Sequence, residues 1–211
     1  MTTLIYTARA LRDFGDGFIV LLLPVYLSNL GFDAFQIGLV ATLALSGSAL
    51  TTLAIGMIGT TYSTRTLLIA SSALMTLTGL AFIAPMVTPV IFVIAFIGTI
   101  NPSSGSVSIF VPLEHSALSH SVTDANRTRS FARYSVVGAL AAALGSLAAA
   151  SPEYIALTGL TPQTSLQLMF ALYAALGLTS GAIYARMPRQ ASQTQSAQEF
   201  GMLRGEPGSC G

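Results

Sequence analysis

Hydrophobic positions fall into six long runs, at about 10–30, 36–58, 66–87, 89–112, 132–150 and 166–186. The runs are rich in Ala, Leu, Ile, Val and Gly, and they do not alternate apolar with polar residues. A membrane β-strand would alternate over about ten residues. The pattern therefore predicts helices of membrane-spanning length, about 20 residues each, whose backbone groups are satisfied internally. The breaks between runs carry cap and turn chemistry. Asp33 and Gln36 form a D-x-x-Q capping box ahead of the second run. Thr88-Pro89 separates the third from the fourth, and Ser151-Pro152 and Thr161-Pro162 bracket the link from fifth to sixth. The expected fold is all-α, a polytopic membrane protein with a six-helix bundle over 1–187. Residues 188–211 are rich in Gln, Ser and Gly without apolar period, and read as a disordered tail.

Composition narrows the class. Of 211 residues, 53% are hydrophobic and 8% charged, against about 25% charged in a soluble domain. So few charges cannot cover a water-facing surface, which excludes a soluble enzyme domain and a disordered chain. A net charge of +1 gives no basic face for nucleic acid. Cys210 is the one cysteine, so neither a disulfide framework nor a thiolate metal cluster is expected, and no cofactor is implied.

Charge position gives the orientation. All nine basic residues are Arg. Arg9 and Arg12 precede the first apolar stretch, Arg65 lies in the second-to-third connector, and Arg127, Arg129 and Arg133 lie around the fourth-to-fifth. Arg186, Arg189 and Arg204 follow the sixth run. The other three connectors have none. With six spans every Arg falls on one side, which the positive-inside rule makes cytoplasmic. Both termini are then expected in the cytoplasm, the chain being an integral protein of the inner or plasma membrane. The first run reads as a retained span and not a signal peptide, because Asp13 and Asp16 stand where a positive region is expected.

Two runs are irregular, and they are the first members of two successive triplets. The first carries Arg12, Asp13, Asp16 and Pro24; the fourth carries Asn101-Pro102-Ser103-Ser104-Gly105 near its middle. Irregular segments at corresponding positions point to a repeat-built transporter with its site at mid-membrane. From Phe18 to Leu30 the first run offers only about 20 Å of helix against a core of about 30 Å. Its span must therefore begin near residue 10, which puts Asp16 below the membrane surface. Asp16, Asn101 and Ser104 are the candidate pathway residues. Arg9/Asp13 and Arg12/Asp16 have i,i+4 spacing. Arg129 and Arg133, also i,i+4, are spaced to meet Glu114 or Asp13. Arg9, Arg12, Asp13, Arg65, Glu114, Arg129 and Arg133 form the candidate cytoplasmic gate, the plainer alternative being charge neutralisation and anchoring at the interface. Asn101-Pro102 reads equally as a kink bonded to neighbouring helices. Gly138, Ala142, Ser146 and Ala150 form a small-residue ladder suited to close helix approach. His115 and His120 read as solvated surface.

Six helices with both ends inside, in a 3+3 pattern, resemble the N-terminal half of a major facilitator superfamily transporter. The stretch Leu23-Pro24-Val25-Tyr26-Leu27, Asn29-Leu30-Gly31-Phe32 and Gln36-Ile37-Gly38-Leu39 resembles that family's path from first to second helix. The family signature G-x-L-A-D-R-x-G-R-R is matched by Gly56 through Arg65. Gly56 and Arg65 fit, while Thr60, Thr61 and Ser63 replace the acid, a basic residue and a glycine. The resemblance implies transport of a small solute by alternating access, with the bilayer, the solute and a coupling ion as partners. Because the family normally has twelve helices, it also implies a second six-helix half or a homodimer.

Two other classes compete. A six-helix intramembrane serine protease is suggested by Ser103-Ser104-Gly105. It fails on chemistry, because the sixth run offers no His base. A non-transporting fragment of a twelve-helix transporter is the second alternative.

Overall fold

All regular elements among the described residues are helices. The structure, a computed structural model, describes residues 2–58, 62–84, 88–98, 110–119, 124–157 and 159–187. They form α1 (Thr2–Asn29), α2 (Ala34–Ile58), α3 (Thr64–Ala81), α4 (Thr88–Ile97), α5 (Phe110–Ser119), α6 (Asp124–Ala148), α7 (Ser151–Ala156) and α8 (Pro162–Ala185). Among the described residues, three stretches are long and apolar enough to cross a membrane: Ala34–Met57, Asn126–Ala156 and Pro162–Ala185. α1 has the length, at 28 residues, but carries Arg9, Arg12, Asp13 and Asp16 in its first half.

Local chemistry sets the boundaries. The capping box forms as its residues dictate: Gln36 N donates to Asp33 Oδ1 at 2.7 Å, and Asp33 N to Gln36 Oε1 at 3.0 Å. Gly31, at φ +87, makes the turn that precedes it. The third apolar run was expected to stay helical to 87, yet α3 ends at Ala81. Side chains from other helices take over carbonyls at that end. Tyr26 Oη donates to Phe82 O at 2.8 Å and Gln167 Nε2 to Ile83 O at 3.1 Å. The expected fourth run, 89–112, contains α4 and the first residues of α5, with 99–109 outside the described residues. α6 begins before the expected 132, and α7, with Pro152 in its first turn, was not anticipated. Thr161 caps α8, its Oγ1 accepting from Thr164 N at 3.2 Å.

α1 is central, packed most extensively on α6 and also on α8, α2 and α5. The α1–α6 contact is close enough to require glycine. A Cβ on Gly17 would overlap the carbonyl of Ala142, and one on Gly145 the carbonyl of Phe14. Ser146 Oγ donates to Gly17 O at 3.3 Å. Gly138, Ala142 and Ser146 of the ladder thus lie along α1, and Ala150 is exposed.

Among the described residues, two apolar clusters form the interior. One joins the second half of α1 (Phe18 to Leu27) to Met75, Phe82, Ile91 and the first half of α8 (Leu166 to Tyr173). The other joins Ile5, Ala8, Leu68, Phe110, Leu113, Tyr134 and Tyr184. The charged residues of α1 fall between them along the helix.

Candidate functional site

The first half of α1 carries four buried charged side chains, Arg9, Arg12, Asp13 and Asp16, and α5 supplies a fifth, Glu114. An unpaired charge in such surroundings costs several kcal/mol, so their partners decide the local structure. Arg9 Nε lies 2.6 Å from Asp13 Oδ2, the expected i,i+4 pair. Arg12 reaches two acids, Asp13 Oδ1 at 3.1 Å and Glu114 Oε1 at 3.0 Å. Glu114 also accepts from the hydroxyls of Tyr134 and Tyr184. Arg9 Nη1 donates to Tyr134 Oη at 2.9 Å and its guanidinium stands 4.5 Å over that ring. Arg12 stands 4.3 Å over Phe110. Two cations balance two carboxylates, with cation–π contacts on the faces left over.

The cluster ties α1 to α5, α6 and α8. Its room comes from Gly138: a Cβ there would lie 2.5 Å from Asp13 Oδ2 and 2.6 Å from Arg9 Nε. Arg9, Arg12, Asp13 and Glu114 are thus brought together. The expected Arg12/Asp16 pair does not form. Arg12 turns toward Glu114, which the sequence places 102 residues away, and Asp16 accepts instead from Tyr173 Oη at 3.2 Å. Asp16 is 4% exposed, enclosed in the bundle and off its open faces.

Arg129 and Arg133 also depart from expectation. Both are exposed and form no ion pair among the described residues. Glu114 and Asp13, the acids expected to meet them, are paired with Arg9 and Arg12 of α1 instead. Arg65 donates to the carbonyl of Ala185, joining α3 to the end of α8 outside the cluster. Asn101 and Ser104 lie outside the described residues.

Sequence reasoning missed the tyrosines. Tyr134, Tyr173 and Tyr184 are 2%, 0% and 0% exposed, and each puts its hydroxyl on an acid from another helix. A tyrosine hydroxyl seeks a partner when buried, so three tyrosines in apolar runs and two acids without a settled partner, Asp16 and Glu114, were the available clue. His115, expected at the surface, is half-buried, with its ring edge-on to Phe131 and Tyr134 at 5.0 Å each.

The family model described as Major Facilitator Superfamily matches residues 5–207. An uncharacterized membrane protein of Saccharomyces cerevisiae is 28% identical over 175 residues, covering 81% of this chain and 39% of that protein. The chain thus spans well under half the length of that relative.

Proposed function

The chain belongs to the major facilitator superfamily, and from that premise we propose that it supplies one six-helix half of a transporter moving a small solute by alternating access. Members of the family are membrane transporters and not enzymes, and the chain is accordingly an integral membrane protein. Six spans, with both termini cytoplasmic and the plasma or inner membrane as site, complete the proposal. A second six-helix half, either a copy of this one or a different sequence, completes the pathway. Arg9, Arg12, Asp13 and Glu114 form the cytoplasmic gate, Arg65, Arg129 and Arg133 flank it, and Asp16, Asn101 and Ser104 serve the pathway.

The observation that carries this reading is the buried, charge-balanced cluster binding α1 to α5, α6 and α8. It lies at the end of the bundle where the arginines concentrate. Breaking and remaking such a cluster separates two discrete arrangements, which alternating access requires. A reading as a non-transporting fragment is supported by the chain's 39% coverage of its relative. One experiment decides between them. The chain is produced in cells with and without the remaining segment of a full-length relative, cross-linked in membranes, and assayed for uptake of a panel of sugars, amino acids and organic anions. A discrete cross-linked dimer or heterodimer with saturable uptake supports the half-transporter. Uptake by a stable monomer overturns the need for a partner, and absence of uptake in every combination supports the fragment.

A further inference from the structure

His115 follows Glu114 in α5 and sits in a notch made by α6. Its ring meets Phe131 at 90° and Tyr134 at 67°, both edge contacts at 5.0 Å. Tyr134 is the shared member of two assemblies. Arg9 covers its face and donates to its hydroxyl, and that hydroxyl donates to Glu114. A proton added at His115 therefore arrives beside a ring that already holds one cation. The charged groups that face the imidazole are Arg9 from α1 and Glu114 from its own helix; Tyr134 is the titratable group facing it from α6.

We infer that His115 is a proton-binding site that senses cytoplasmic acidity and, when charged, loosens α5 from the Arg9–Tyr134–Glu114 cluster. The inference rests on reading that cluster as the cytoplasmic gate. Burial is the first reason that the docked arrangement favours neutral imidazole, and repulsion from Arg9 is the second, with Glu114 opposing both. The pKa of His115 is accordingly lowered from its ordinary value of about 6.5. The sign follows by linkage. An imidazole released to solvent takes a proton at higher pH than the docked one. Falling pH through about 6.5 therefore favours release, and the bias saturates once the docked form is charged too. Above that range both forms are neutral and the docked arrangement holds.

The chain contains two histidines, so proton binding can be read directly. Full-length protein carrying isotopically labelled histidine, in lipid nanodiscs, gives two ring signals by NMR, and His115→Gln assigns them. The expected midpoint for His115 lies below about 6.5. A midpoint at or above that value overturns the inference whether or not the chain transports. Release is read separately with Ala117→Cys, a position 1% exposed on α5, in a Cys210→Ser background. Its maleimide labelling, normalised to a cysteine at the partly exposed Thr64, should rise about twofold or more from pH 7.5 to pH 5.5. Both His115→Gln and His115→Phe should abolish that rise. A rise that survives both substitutions, or no rise in the parent, refutes the coupling to α5. Failure of solute uptake leaves both readouts intact, so it bears on the transporter reading alone.

Discussion

Arg12 Nη1 donates to Glu114 Oε1 at 3.0 Å across 102 residues of sequence, with side chains 1% and 0% exposed. A pair this far from water holds only while both members remain. Removing one leaves the buried cluster with an unbalanced charge, at a cost of about 3–5 kcal/mol. Glu114→Ala should lose about that much, since it leaves Arg9 and Arg12 with Asp13 as their one carboxylate and takes the acceptor from two tyrosine hydroxyls at once. Arg12→Met with Glu114→Gln should lose less than the two single changes added together. Reversible unfolding in mixed micelles measures the cycle, and strict additivity would show that the two groups do not interact.

Gly138 gives a sharper test, because the change adds one methyl group and alters no charge. In Gly138→Ala the new Cβ would meet Asp13 Oδ2 at 2.5 Å and Arg9 Nε at 2.6 Å. The Arg9–Asp13 pair or the α1–α6 approach must give way, at about 1–3 kcal/mol. Gly56→Ala, where a Cβ meets nothing within 4 Å, is the control and should be neutral or slightly stabilising. Equal effects of the two substitutions would contradict the packing described for α1 and α6.

How much of this was legible follows from the physics of each signal. The capping box of Asp33 and Gln36 was readable because both partners lie within one turn. The small residues Gly138, Ala142 and Ser146 were readable as a face because helical periodicity is local. Arg9/Asp13 was readable for the same reason. Arg12 was misassigned to Asp16 because i,i+4 spacing says which groups can meet on one helix and nothing about a competing acid on another. Glu114 won that competition through tertiary packing. The early end of α3 was equally hidden, since the groups at that end, Tyr26 and Gln167, come from α1 and α8. The tyrosines were overlooked because an aromatic in an apolar run satisfies the hydrophobic pattern with or without a role for its hydroxyl.

The proposed membrane topology rests on the arginine distribution and can be checked residue by residue. In a Cys210→Ser background, single cysteines at Asp33 and Glu153 should react with an impermeant maleimide from outside. Cysteines at Thr64 and Gln193 should react only after the cytoplasmic face is opened. Asp33 and Glu153 are exposed, so accessibility does not limit labelling there. Labelling of position 64 in sealed cells would overturn six spans with both termini inside.

Asp16 and Tyr173 give the decisive prediction about the pathway. Asp16 is held in the interior, with its carboxylate hydrogen-bonded by a tyrosine that is itself fully buried. In this arrangement a solute has no open route to it. If Asp16 serves the pathway, another arrangement must expose it, and the Tyr173 hydrogen bond is one contact that must break. Asp16→Asn keeps the volume and an acceptor oxygen for Tyr173, so membrane abundance should survive while uptake changes. Tyr173→Phe removes the donor and keeps the ring that packs on Phe18. It should therefore alter uptake at near-normal abundance, and the double variant should do little more than the more severe single one. Asn101→Leu tests the second pathway residue, and should abolish uptake without loss of protein, since leucine suits a membrane interior. If these side chains act only as packing, all three substitutions lower membrane abundance, and the protein that remains transports normally per molecule. Uptake normalised to membrane protein, with the partner half present, separates these outcomes. The reading as pathway residues fails if normalised uptake is unchanged in Asp16→Asn and Asn101→Leu.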